Sequence, residues 1–219
     1  MPQLTLADEI VVLMLDDSVG EIQPDCMRVA LIAVAGGVLM ELALQGRIDT
    51  DLHALFIVNP APTGDELLDQ ILREIEAEAE QHPSAWWIAE LSRRHDDLVE
   101  RVLERLAAAG ILLQEEYHFL WVFSKRAYPQ VSGREEREAK ARLMSVLFHD
   151  EVPDPRDTLL LGLANSSGAL ASILTETELE KAAGRIAEIA GLEEIARSVG
   201  AVSNPAWDAM AIIMTSYAH

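Results

Sequence analysis

The sequence predicts a mainly α-helical single domain, residues 1–219, around a buried central helix, with a small β component. Three observations carry this prediction. Met27–Leu44 (MRVALIAVAGGVLMELAL) has no polar residue from Val29 to Met40. Helix-start signals recur along the chain, each followed by amphipathic spacing. Strand-like alternation is confined to short stretches between breakers. A helix that is apolar on every side must be surrounded by other elements, and a run of this length suits a core helix better than a bilayer span.

The elements follow in order. Thr5 with Asp8 forms a capping box for a helix through Ile10–Leu15, which stops at the turn Asp16-Asp17-Ser18-Val19-Gly20. The central helix ends at Gly46, placed as the residue after the cap. Its paired Gly36 and Gly37 cost helix propensity, which a closely packed second backbone would explain. Arg47–Asp49 and Leu55–Val58 read as short strands before Pro60 and Pro62. Thr63-Gly64-Asp65-Glu66 reads as a second capping box, opening a helix with Leu67, Leu68, Ile71 and Leu72 on one face and a solvated acidic end, Glu74–Glu80. After Pro83 a short helix carries Trp86 and Trp87, adjacent residues that cannot both face inward. Asp97–Ala109 places Leu98, Val102, Leu103 and Leu106 inward and stops at Gly110. Ile111–Leu113 and Phe119–Phe123, flanking Glu115–His118, suggest a hairpin. Further helices are expected from Ser132-Gly133-Arg134-Glu135, Asp154-Pro155, Thr177-Glu178-Leu179-Glu180 and Asn204-Pro205.

The chain has 219 residues and a formal net charge of −20. Nucleic-acid binding is not expected, because phosphate neutralisation needs a basic face. An anionic membrane would be met only through a local basic patch. One cysteine, Cys26, allows no internal disulfide. The N-terminal residues lack the basic and small-residue features of a signal peptide, so a cytoplasmic protein, peripheral at most on the cytosolic membrane face, is expected.

Several segments in one order resemble the Golgi phosphoprotein 3 family, peripheral membrane proteins that bind phosphatidylinositol 4-phosphate. They are Leu4–Leu15 (LTLADEIVVLML) followed by Asp16-Asp17, Gly37–Ile48 (GVLMELALQGRI), Pro62–Gln70 (PTGDELLDQ), Glu104–Leu112 (ERLAAAGIL) and Thr158–Leu163 (TLLLGL). The resemblance covers nearly the whole chain and implies a compact helical domain around one buried helix with a projecting β-hairpin. In the family the lipid headgroup is held by a tryptophan early in the central helix and an arginine just before its glycine. An Arg-x-x-Arg pair in the helix before the hairpin completes the site. Guanidinium forks suit phosphate oxygens. At the matching positions this sequence has Cys26, Ala35, Asp96 and Val99, so the resemblance implies a divergent member without the usual headgroup residues. Arg28, Arg94 and Arg101 lie near those positions and are the candidates for a displaced headgroup site. Their simpler reading is ordinary surface arginines in ion pairs.

Trp121 and Phe123 precede the densest basic stretch, Lys125–Arg142, and with Lys125 and Arg126 are candidates for membrane contact or self-association, roles the family hairpin serves. The interleaved Glu135, Glu136 and Glu138 favour a solvated helix face instead. His95-Asp96-Asp97 and His149-Asp150-Glu151 are the only hints of a metal-dependent phosphohydrolase, with His53 or His82 as a further ligand; neither lies in a persuasive metal-binding pattern. No cofactor or metal is expected, and Cys26 is not expected to be a nucleophile. The helix start at Thr63-Gly64-Asp65 could hold an anion, but Asp65 and Glu66 already occupy its dipole. The first functional reading is therefore a nonenzymatic binding or adaptor module, with an anionic phospholipid headgroup and a protein partner as the expected ligands. The second is a cytosolic protein–protein scaffold without lipid binding, and the third is the phosphohydrolase.

Overall fold

The computed structural model describes residues 4–16, 19–51, 54–119, 123–149 and 153–190. The apolar run forms α2, Met27–Leu44, and every residue from Ile32 to Leu42 is buried. By length and composition Pro24–Leu44 could cross a membrane, yet most of it is enclosed by other helices. Those that pack on it are α1 (Leu6–Met14), α3 (Glu66–Ala77), α4 (Ser84–Arg94), α5 (Leu98–Ala108) and α7 (Pro155–Ser166). Helix α6 (Arg134–Phe148) lies against α1 and α7. The short α8 (Leu170–Ile173) and α9 (Glu176–Ala190) close the far side of α7 and α6.

The close approach expected at the paired glycines is that of α1. A Cβ at Gly37 would lie 3.0 Å from both Cα and N of Ala7, so only glycine lets the two backbones meet there. The start of α1 is as expected: the Thr5 hydroxyl accepts from the Asp8 amide at 3.2 Å, and the Thr5 amide donates to the Asp8 carboxylate at 2.8 Å.

Two caps differ from the sequence reading. Asp65, rather than Thr63, caps α3 by accepting from the Leu68 amide at 3.0 Å. Thr63 instead donates its hydroxyl and amide to Asp69, at 2.7 and 2.6 Å, which holds the Asp69 carboxyl below its usual range. Helix α9 begins at Glu176, with Thr175 and Glu178 as the reciprocal pair. The stretch holds two overlapping Thr-x-x-Glu frames. Only the earlier one sets apolar residues, Leu174 and Leu179, at the two positions that staple a helix start. The helix expected after Asn204-Pro205 lies outside the described residues.

Among the described residues the small β component is two antiparallel pairs. β1 (Ile48–Thr50) pairs with β2 (Leu55–Ile57), and β3 (Glu115–Phe119) pairs with β4 (Phe123–Ala127). The second hairpin lies further along than expected: Glu115–His118 is strand rather than turn. Ile111 and Leu112 are drawn away because they tuck under the end of α5, both almost fully buried; the Ile111 carbonyl accepts from the Val131 amide, and Leu112 bridges Gln130 at the hairpin's foot. The acidic end of α3 is also less solvated than expected. Glu74 bonds His95 at 2.9 Å, and Glu78 lies 3.6 Å from Arg94.

Three of the buried carboxylates lie on the two central helices, Asp8 and Glu9 on α1 and Glu41 on α2; a fourth, Glu136 on α6, pairs with Lys140. Burying a charge is costly unless it is paired and hydrogen-bonded. Arg105 of α5 holds Asp8 at 2.6 Å, Asp65 at 2.8 Å and the Thr5 hydroxyl at 3.0 Å. Arg156 of α7 holds Glu41 at 3.0 Å, lies 3.4 Å from Glu9, and donates to the Leu4 carbonyl. Arg142 of α6 joins Glu9 to Asp157, the latter at 2.9 Å. Burial pushes the Glu9 carboxyl upward, while Arg156 and Arg142 pull it back.

Three substitutions test these contacts, one of them a control at an open glycine. Gly37→Val should lower stability in a urea unfolding curve by about 1–3 kcal/mol, the usual cost of overpacking. Gly184→Ala, at an open position on α9, should raise it by up to about 1 kcal/mol. Arg156→Met should cost about 3–5 kcal/mol at neutral pH, because Glu9 and Glu41 stay buried with a countercharge removed. Losing that cation raises the folded-state value of Glu9 further above the unfolded one, so the folded variant holds its proton to higher pH. The deficit should therefore shrink as pH falls toward the ordinary glutamate value and grow as pH rises through the range above it.

Candidate functional site

A cavity of about 520 Å³ opens where the α1–α2 connection, the start of α2, helix α5 and the end of β4 meet. Ile22, Pro24, Met27, Val99, Leu103 and Tyr128 form its apolar wall. Its charged groups are Glu21, Asp96, Glu100 and Arg126. This is within the size range of small-molecule sites.

Local structure explains the shape. Asp96, Val99, Glu100 and Leu103 follow helical spacing, so α5 and the residues leading into it present one continuous stripe. On the opposite side the chain reverses between Asp16 and Glu21, which form an isolated bridge. Gly20 sits in that reversal at φ +66°, and its carbonyl accepts from the Tyr128 amide at 2.7 Å. A Cβ on Gly20 would fall 2.4 Å from the Pro129 nitrogen, so the loop and the hairpin's foot touch backbone to backbone. A short 3-10 turn, Pro24–Cys26, then delivers Met27 to the cavity at 42% exposure.

The cavity's one arginine is already engaged. Arg126 bonds Glu100, and Glu104 at 3.1 Å. Tyr128 is only 4% exposed, and burial raises its phenol, with the Arg126 guanidinium pulling the other way. Asp96 is exposed at the head of α5. Among the described residues three carboxylates and one guanidinium line the cavity, and of the carboxylates Glu21 and Glu100 already have partners.

Of the positions matched to the family's headgroup residues, Asp96 and Val99 line this cavity. Cys26 faces a separate cavity of about 350 Å³ beside Ser167 and Ser172, and Ala35 is wholly buried within α2. None of the three candidate arginines lines the 520 Å³ cavity. Arg28 is exposed on the first turn of α2. Arg94 bonds Glu90 at 2.6 Å and lies 4.0 Å from Glu74. Arg101 donates to Gln70 at 2.8 Å and borders a shallow cavity of about 200 Å³ with Arg105 and Asp65.

Among the hairpin candidates, Trp121 lies outside the described residues, and Phe123 and Lys125 fall on β4 with Arg126. The basic residues of α6 have partners within the protein: Arg134 with Glu138 at 2.7 Å, Lys140 with Glu136, and Arg142 as above. Arg137 donates to the Ser132 carbonyl at 3.0 Å. His95 bonds Glu74, and His82 stacks on Trp86 with ring centres 3.7 Å apart while Trp87 is buried. His149 and the Ser145 carbonyl are 3.3 Å apart, and His53 is outside the described residues. Among the described residues no group of three His, Cys, Asp or Glu side chains is placed to hold a metal.

Sequence reasoning did not single out Gly20 or Tyr128. The available signal was a glycine closing a polar turn and a Tyr-Pro pair ending a strand, but nothing local says that the two meet. Against known families, residues 6–209 match the Golgi phosphoprotein 3 (GPP34) family model. Gly20→Ala should lower stability in urea by at least about 1–2 kcal/mol, the left-handed backbone cost alone, with the Pro129 overlap adding to it.

Proposed function

This chain belongs to the Golgi phosphoprotein 3 family, and from that premise we propose a nonenzymatic binding and adaptor module that does not take a phosphoinositide headgroup in its main cavity. The observation that carries this reading is the cavity's charge. Asp96 and Val99 stand on the α5 stripe where the family resemblance would set two arginines, beside Glu21 and Glu100. A phosphomonoester brought there would meet carboxylates, and the one guanidinium present is held by Glu100 and Glu104. Each charge-assisted hydrogen bond missing from such a site removes about 1.5–3 kcal/mol of attraction.

The same reasoning weakens a basic membrane face on α6, whose cations are bonded to neighbouring carboxylates and carbonyls. Surface pairs of this kind contribute little to stability, yet they lower the local positive potential that an anionic bilayer would feel. A protein-recognition scaffold on this fold is the role that remains.

Liposome flotation at low salt tests the reading, using vesicles of neutral phosphatidylcholine, of phosphatidylserine, and of phosphatidylinositol 4-phosphate at matched surface charge. The expected result is no enrichment on phosphatidylinositol 4-phosphate over phosphatidylserine. Selective flotation on the phosphoinositide would overturn it. Charge-dependent flotation without headgroup selectivity, lost in Trp121→Ala or Phe123→Ala, would establish membrane docking through the hairpin instead.

A further inference from the structure

We propose that the 520 Å³ cavity is a binding site for an organic ammonium ion carried on an apolar body. This names a ligand class for the same cavity, and so rests on the reading that it is not an anionic headgroup site.

The wall sets the body of the ligand. Ile22, Pro24, Met27, Val99 and Leu103 offer aliphatic surface from three separate elements, and the buried Tyr128 closes one side. Such a wall gains from covering apolar surface, at roughly 25 cal/mol per Å² removed from water. Inorganic cations and fully polar amines gain nothing from it.

The charges set the head. Glu21 and Glu100 border the apolar wall, and Asp96 stands exposed at the head of α5 with no ion pair among the described residues engaging it. Arg126 is bridged between Glu100 and Glu104, which leaves the rim with an excess of negative charge. A cleft lined by one sign of charge with low-dielectric walls concentrates ions of the opposite sign. A carboxylate or phosphate head on the same apolar body is repelled. Uncharged heads gain no such attraction. The overall charge of −20 works in the same direction at longer range.

Three probes with one phenylbutyl body isolate the head group: 4-phenylbutylamine, 4-phenylbutanol and 5-phenylpentanoate, titrated calorimetrically into the full chain at low salt. The expected order is amine over alcohol over carboxylate, with the amine at least tenfold tighter than the carboxylate. Asp96→Asn should reduce that preference at least threefold, and Asp96→Arg should invert it; Asp96 is exposed, and circular dichroism confirms that each variant is folded. Glu76→Arg, which changes a distant exposed charge on α3 by the same amount, should leave the preference in place. Three results would overturn the proposal: no binding of the amine at millimolar concentration, equal binding of amine and carboxylate, or an amine preference that Asp96→Arg leaves unchanged. The last result would mean that the acidic surface as a whole attracts ammonium ions. Phosphoinositide flotation is a separate measurement, so the two readings fail independently.

Discussion

The structure depends on the crossing of α1 over α2, where two backbones touch at Ala7 and Gly37 and three carboxylates go under with them. A purely apolar contact would have left the outer helices with interchangeable positions. Because Asp8, Glu9 and Glu41 are buried, each must meet a cation, and those cations come from α5, α6 and α7. Arg105, Arg142 and Arg156 therefore place three helices around one crossing. Ion pairs of this kind are weak evidence for net stability, since desolvation offsets much of the attraction. Their contribution here is to direction: a helix rotated away from its arginine position would leave a buried carboxylate unanswered.

That constraint has a consequence for the surface. The chain has 17 lysines and arginines against 37 aspartates and glutamates. Three arginines serve the interior carboxylates, and Arg94, Arg126, Arg134 and Lys140 bond nearby glutamates. A phosphate site needs several convergent guanidinium or ammonium groups with donors to spare. In this protein Arg126, which lines the cavity, and Arg105, Arg142 and Arg156 at the crossing already have carboxylate partners. The acidic rim of the cavity thus fits the charge pattern of the whole molecule, in which positive groups act mainly as internal ties.

Much of the fold was legible because its signals are local. The run from Val29 to Met40 defines its own burial, and Thr5 with Asp8 caps a helix within a single turn. Where two local signals overlapped, the choice depended on packing: Thr175 and Thr177 both offer a capping frame, and the apolar residues at 174 and 179 favour the first. The sequence pattern sets the hairpin too early because Ile111 and Leu112 look like strand residues, whereas the end of α5 covers them. The candidate site was half legible. Asp96 and Val99 could be found from family resemblance, whereas the contact of Gly20 with Tyr128 and Pro129 joins segments more than a hundred residues apart and leaves no periodic trace.

The same distinction explains why the cavity persists when the charges around it do not favour a phosphate. Its shape comes from backbone: a left-handed glycine at 20, the Tyr128 amide bonded to the Gly20 carbonyl, and the helical stripe leading from Asp96 into α5. None of these contacts requires a particular charge at 96 or a particular side chain at 99. A framework held by backbone contacts can keep a cleft while the side chains that face it change sign. What the cleft recognises is then decided by a few exposed groups, and in this chain the one at the head of α5 is a carboxylate. Fold and ligand class are separable here for a physical reason, because the groups that set one are not the groups that set the other.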